Sequence, residues 1–227
     1  MLQDAVKEIK VALFDMDGLL IDSEKVYCAC WIQAARELGY SLDEERVLTL
    51  RSLDKILANE LFIGWFSDRA AYERVKTRRK EIMAAKIRQT PLQSKPGVRS
   101  LICELEKRGI KSAVVTASPQ KRAQTHLASV GLGDLFKTIL TTEAVERGKP
   151  FPDVYCYAAE KMGVVPKDCL AFEDSPNGVK SAYEAGCRTV MIPDLTPAAE
   201  ELMPYVDYVY GSLADLAVEL QQGLPER

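Results

Sequence analysis

Four short segments carry side chains whose types and spacing suit phosphoryl chemistry. Phe14-Asp15-Met16-Asp17-Gly18 sets two carboxylates one residue apart, directly after a short apolar run. An Asp at the end of such a run can attack phosphorus in line and become an aspartyl-phosphate. A second Asp two residues on can protonate the leaving oxygen and later take a proton from water. The alternative for this pair is a solvated turn ahead of a helix. In Val114-Val115-Thr116-Ala117-Ser118-Pro119, the Thr116 hydroxyl can donate to a phosphate oxygen. Ser118 is either a second phosphate contact or the N-cap of a helix opening at Pro119, and both roles fit a helix N-terminus that attracts an anion. Lys149, between Gly148 and Pro150, can neutralise both a nucleophilic carboxylate and the transferring group. An ordinary surface lysine is the alternative there. Glu173 and Asp174, in Ala171-Phe172-Glu173-Asp174-Ser175-Pro176, are hard oxygen ligands. Together with Asp15 they suit Mg2+, although Asp174 could instead cap the helix near Pro176. Close approach of Asp15, Asp17 and Asp174 would require either a cation or shifted pKa values.

These residues need elements that bring them to one place. Apolar, β-branched runs predict strands at 11–14, 111–115, 136–140, 169–172 and 189–192, with a late edge strand at 206–210. Helical patterns at 98–108, 119–130, 152–162, 178–184 and 213–220 alternate with them, several closed by glycine. That alternation predicts an α/β fold with a Rossmann-like parallel sheet, whose ligands sit beyond the carboxyl ends of the strands. The polar clusters at 15–17, 116–118 and 173–174 all fall at such ends. Residues 23–91 hold helical patterns at 26–38, 53–66 and 69–88 and no strand. They read as an all-helical insertion after the first strand, leaving 1–22 and 92–227 as the core.

The chain has 227 residues, 47% apolar and 28% charged, with a net charge of -3, which fits an ordinary globular protein and gives no sign of a general nucleic-acid partner. The basic run 76–80 reads as a solvated helix face. Six cysteines in a chain of this size read as reduced, buried thiols rather than a disulfide framework. The single histidine, His126, reads as a structural helix residue. No apolar run approaches the roughly 18 residues of a membrane span. Residues 1–14 contain acidic groups, lead straight into the first strand and do not read as a targeting peptide, so a cytoplasmic protein is expected.

Taken together, FDMDGLLIDSE at 14–24, VVTAS at 114–118, GKPFPDVY at 148–155 and AFEDSPNGV at 171–179 resemble the haloacid dehalogenase-like hydrolase superfamily, in its β-phosphoglucomutase-like phosphatase branch. The resemblance covers nearly the whole chain. It implies Asp15 as nucleophile and metal ligand, and Asp17 as acid/base with its backbone carbonyl on the metal. Thr116 and Lys149 would hold the phosphoryl group, Asp174 would ligate Mg2+, and Glu173 would neighbour the metal site. It also makes the helical insertion a small cap, hinged near Ser23 and Pro91. The second Asp separates the chain from true haloacid dehalogenases, which lack it.

The expected reaction is Mg2+-dependent hydrolysis of a small phosphate monoester, a sugar or related metabolite phosphate, by a monomer (a weak dimer being the alternative). A hexose-phosphate mutase is the nearest rival. Mutases of this kind commonly carry a histidine ten residues after the second Asp, where this chain has Tyr27. They also tend to carry a lysine after the serine of the second motif, where this chain has Pro119. A non-catalytic phosphometabolite-binding protein is the third reading. Ser118, Glu24, Arg51 and Lys55 are candidate substrate contacts, with a solvated charge as the alternative for Arg51. Tyr27, Trp31, Phe62, Trp65 and Phe66 are expected to pack the cap interior.

Overall fold

The computed structural model describes residues 2–222, so residues 1 and 223–227 of the expected core lie outside it. The chain does not run straight into a strand. It opens with α1 (Leu2–Ala5) and a 3-10 turn, which anchor Leu2 and Val6 in the core ahead of β1 (Val11–Phe14). Four helices follow: α2 (Glu24–Glu37), α3 (Glu44–Thr49), α4 (Lys55–Phe66) and α5 (Ala71–Gln89). Then come α6 (Val98–Lys107), β2 (Lys111–Thr116), α7 (Gln120–Ser129), β3 (Ile139–Thr141), α8 (Asp153–Met162) and β4 (Cys169–Glu173). The chain closes with α9 (Pro176–Glu184), β5 (Arg188–Met191), β6 (Tyr208–Val209) and α10 (Leu213–Gln222).

The six strands form one parallel sheet in the order β3-β2-β1-β4-β5-β6. Period-two alternation splits the strand residues between two layers. Ala12, Phe14, Val114, Leu170 and Phe172 pack with α6, α7 and α10, and Phe14 stacks on Phe172 at 4.5 Å. Val11, Leu13, Val115 and Ala171 pack against α8 on the other side. Both faces of the sheet are therefore covered, which is why its strands read as unbroken apolar runs. Each buried Leu or Phe contributes about 1.5–3 kcal/mol of transfer free energy. Among the described residues no helix is long and apolar enough to cross a membrane.

Strand order reverses at β1, which pairs with β2 on one side and β4 on the other. A crevice opens at such a switch point beyond the carboxyl ends of the strands. Asp15, Thr116 and Glu173–Asp174 stand there.

Helices α2–α5 lie between β1 and α6. The expected strand at 136–140 begins three residues later than its pattern suggested, and α3 is a helix the pattern did not give. Asp43 starts α3 by accepting from the Arg46 N–H, and Asp54 starts α4 by accepting from that of Ile56. Phe62 is fully buried among Trp31, Trp65, Phe66 and Tyr72. The chain enters and leaves this helical segment side by side. The Asp22 N–H donates to Gln93 O and the Lys95 N–H to Leu20 O, forming a short antiparallel ribbon around Ile21 and Ser94.

Four cysteines are buried as free thiols, but Cys103 and Cys156 are exposed, against the expectation that all would be buried.

Candidate active site

Asp15 follows the last residue of β1, and its N–H donates to Phe172 O on β4, fixing the backbone at the point where the strand ends. Its side chain is fully buried. The Lys149 ammonium lies 2.5 Å from Asp15 Oδ1 and 2.5 Å from Glu173 Oε1, and also donates to Val115 O at 3.3 Å. Tyr155 on α8 donates to the same Glu173 oxygen at 2.5 Å. One buried cation thus sits between two buried carboxylates. Burial, and the neighbouring Glu173 and Asp17, raise Asp15 above the ordinary carboxylate range against the pull of Lys149. Lys149 is raised too: burial opposes its charge, but Asp15 and Glu173 outweigh it.

Asp17 is held at both oxygens. Ser23 donates to Oδ1 at 2.9 Å and Ser118 to Oδ2 at 2.6 Å. Ser118 does not cap α7: Pro119 occupies the cap position with no side-chain cap, and the Ser118 hydroxyl, one residue earlier, donates to Asp17. Thr116 Oγ1 accepts from the Ser118 N–H at 3.0 Å, which leaves the threonine proton available. Likewise Asp174 does not cap α9. Ser175 does so, accepting from the Gly178 N–H at 3.1 Å, so Asp174 is not spent on the cap.

Asp15, Glu173 and Asp174 each offer a carboxylate oxygen, all within 4.8 Å of one another. Asp15 Oδ2 and Asp174 Oδ1 are buried with no hydrogen-bond partner. Burial raises Asp174 well above the ordinary carboxylate range, with Arg51 opposing the shift and Asp15 reinforcing it. Two orphaned, buried carboxylate oxygens fit a hard cation. Glu173 is more fully engaged, by Lys149, by Tyr155 and at 3.5 Å by Ser175. The fit of backbone around these groups is close. Gly18 has φ +87°, and a Cβ there would lie 2.1 Å from Asp174 Oδ2; one on Gly178 would lie 1.9 Å from Glu173 Oε2.

The helical segment closes over the same crevice. Arg51, just past α3, is buried rather than solvated. Its guanidinium donates to Asp174, to Glu24 at 3.1 Å and to Thr196 at 2.9 Å. Glu24 is therefore occupied in holding Arg51. Asn177 donates to Arg51 O at 2.8 Å. Asp54 accepts from the Gly148 N–H at 2.7 Å, and its own N–H donates to Lys149 O at 2.7 Å. These ties leave a cavity of about 370 Å³. Asp15, Asp17, Thr116 and Ser118 line it, as does Lys55.

Sequence reading passed over Asp54 and Tyr155, although both stand in or beside motifs it singled out. Two other expectations change. The basic run is not simply a solvated face, because Arg79 is 5% exposed and lines the cavity with Lys76 and Lys80. Tyr27 and Trp31 line the cavity as well, while Phe62 and its neighbours form the interior.

A family model described as haloacid dehalogenase-like hydrolase matches residues 12–192. Hexitol phosphatase A of Escherichia coli is 33% identical over 213 residues, covering 92% of this chain and 94% of that protein. The β-phosphoglucomutase of Bacillus subtilis is 26% identical over 220 residues, covering 93% of each. In structure, CbbY from Rhodobacter sphaeroides, solved with phosphate, superposes with a TM-score of 0.76 at 26% identity, covering 92% of this chain and 96% of that one. The chain belongs to the haloacid dehalogenase-like hydrolases, and the enzyme expected from its motifs is of that family.

Proposed function

We propose that this protein hydrolyses a small phosphate monoester, a sugar or related metabolite phosphate, in a Mg2+-dependent reaction through an aspartyl-phosphate. The observation that carries the reading is the division of labour within Asp15. Lys149 holds Oδ1, while Oδ2 is buried without a partner beside the cavity that Asp17, Thr116 and Ser118 also line.

The Asp15 carboxylate attacks phosphorus, the bond from phosphorus to the leaving oxygen breaks, and Asp17 gives that oxygen its proton. Water then attacks the phosphorus of the aspartyl-phosphate, Asp17 takes a proton from it, and the bond to Asp15 breaks to release phosphate. The two serines on Asp17 hold it in one orientation for both transfers. The Thr116 hydroxyl and the Lys149 ammonium steady the phosphoryl oxygens. Mg2+, held by Asp15, Asp174 and the Asp17 carbonyl with Glu173 behind them, would offset repulsion between carboxylate and phosphate. Residues 23–91 act as the cap, with the ribbon at Ile21 and Ser94 as its hinge, and exclude water while the reaction proceeds.

The likeness to a β-phosphoglucomutase keeps the mutase in view, but Tyr27 weighs against it. Burial, and the nearby Asp17, push its hydroxyl up from the ordinary tyrosine range. It therefore stays protonated, where a histidine would titrate near neutral pH.

The test is phosphate release from a broad panel of phosphorylated metabolites, with Mg2+ and with chelator, product sugars being identified. Magnesium-dependent release is expected. Conversion of a hexose 1-phosphate to its 6-phosphate without release would replace this reading with the mutase. Tight binding of a phosphometabolite without turnover would replace it with the non-catalytic one.

A further inference from the structure

One pair of cations in the cavity is bonded to no carboxylate among the described residues. Lys149 and Arg51 are each bonded to carboxylates. Arg79 on α5 and Arg122 on α7 make no ion pair with any described residue, and the Nε of each is buried without a hydrogen-bond partner. Both guanidinium groups lie over the Tyr27 ring, at 4.9 Å and 5.5 Å, and Arg79 lies 4.9 Å from the Trp31 ring as well. The Tyr27 hydroxyl is also buried and unpartnered. All three side chains line the cavity that holds Asp15 and Asp17.

We propose that Arg79, Arg122 and the Tyr27 hydroxyl form an anion subsite, so that the leaving group of the substrate carries a second acidic group, a carboxylate or a phosphate. This rests on the phosphatase reading and specifies its substrate class.

Stacking on aromatic rings accounts for the apolar side of Arg79 but not for its polar edge. A guanidinium presents its donors in a plane that matches the two oxygens of a carboxylate or phosphate. Leaving such donors buried and unmatched costs free energy that a bound anion would recover. Burial lowers Arg79 from the ordinary arginine range, with Tyr27 beside it opposing the shift and Arg122 reinforcing it. Lys80, at the cavity edge, is lowered by burial and then by Lys76, Arg79 and Arg122. The cations of α5 and α7 thus repel one another, as expected of a site completed by an anion. Arg122 has one further contact, donating to Ser118 Oγ at 2.5 Å. Ser118 in turn holds Asp17, so an anion on Arg122 would sit one hydrogen-bonded step from the acid/base. Arg79 belongs to the helical segment and Arg122 to the α/β core, so one anion would also draw the two together.

The test compares phosphate release by the wild-type enzyme with Mg2+ from three size-matched esters. Glucitol 6-phosphate has a neutral far end, 6-phosphogluconate a carboxylate and fructose 1,6-bisphosphate a phosphate. At least one acidic-ended ester is expected to show kcat/KM about tenfold or more above the neutral one, mainly through KM. Which of the two is favoured identifies the acidic group. Arg79→Gln is expected to erase that ratio and Arg79→Lys to keep part of it. The wild-type comparison decides the matter even if a variant folds poorly. Turnover of glucitol 6-phosphate equal to or better than both others would overturn the subsite and leave the phosphatase reading standing. No release from these or any other monoester would overturn both.

Discussion

Arg51 and Asp174 are joined across the crevice: a guanidinium carried by the helical segment is bonded to a carboxylate at the end of β4. The same carboxylate keeps its other oxygen unpartnered. Arg51 therefore lends positive charge at the place where a cation would be held.

A competition follows between Arg51 and the metal. Arg51→Gln is expected to bind Mg2+ several-fold more tightly than the wild type in calorimetric titration, because one repelling charge and one occupant of Asp174 Oδ2 are gone. Unchanged or weaker affinity would mean that Arg51 does not compete with the metal.

Asp15→Asn should separate chemistry from folding. The amide oxygen can still accept from Lys149, so the melting temperature should stay within a few degrees of wild type. Turnover should fall by at least about a thousandfold, as when other covalent nucleophiles are removed. Retained turnover would show that Asp15 is not the nucleophile.

Lys149→Met should behave in the opposite way, with stability lost alongside activity. It leaves Asp15 and Glu173 buried without the ammonium between them. Breaking a buried pair from one side costs roughly 3–5 kcal/mol. In a chain of this length that is a fall in Tm on the order of 10 °C, measurable by thermal denaturation.

Magnesium should stabilise the protein more at higher pH. Burial raises Asp15 and Asp174 above the ordinary carboxylate range, so the folded protein without a cation retains protons there that the unfolded chain has released. The stability this contributes is full below the ordinary range and is lost as pH rises through the elevated values. A cation that replaces those protons removes the loss. The rise in Tm on adding Mg2+ should therefore be larger at about pH 8 than at about pH 5.5. Equal rises would mean that the two carboxylates are already ionised without metal.

The α/β core was legible because its strands are covered on both faces, which forces apolar runs, and because polar residues interrupt those runs just where the crevice opens. Asp15, Thr116 and Asp174 could be found that way. Other features depend on distant partners. Arg51 looks like any charge at a helix end until Asp174, more than a hundred residues away, is placed beside it. Asp54 looks like a helix cap, which it is, but its second oxygen also holds the Gly148 N–H. Ser118 followed by Pro119 has the form of a cap, yet α7 begins one residue later than that form implies, at Gln120, which puts Ser118 outside the cap position and beside Asp17. The short helix α3 is below the length at which periodicity can be distinguished from chance.

The ribbon around Ile21 and Ser94 has a consequence for how such a chain can change over generations. The helical segment departs from the core and rejoins it at two adjacent, hydrogen-bonded backbone stretches. Its length and content can therefore vary without altering strand order or the carboxylates at the strand ends. A replacement segment needs to begin and finish at neighbouring points and to replace the bonds that Ser23, Arg51 and Asp54 make to the core. On the proposed reading, the share of leaving-group selectivity carried by Tyr27 and Arg79 can thus be exchanged with the segment, while Arg122 and the carboxylates at the strand ends stay with the core.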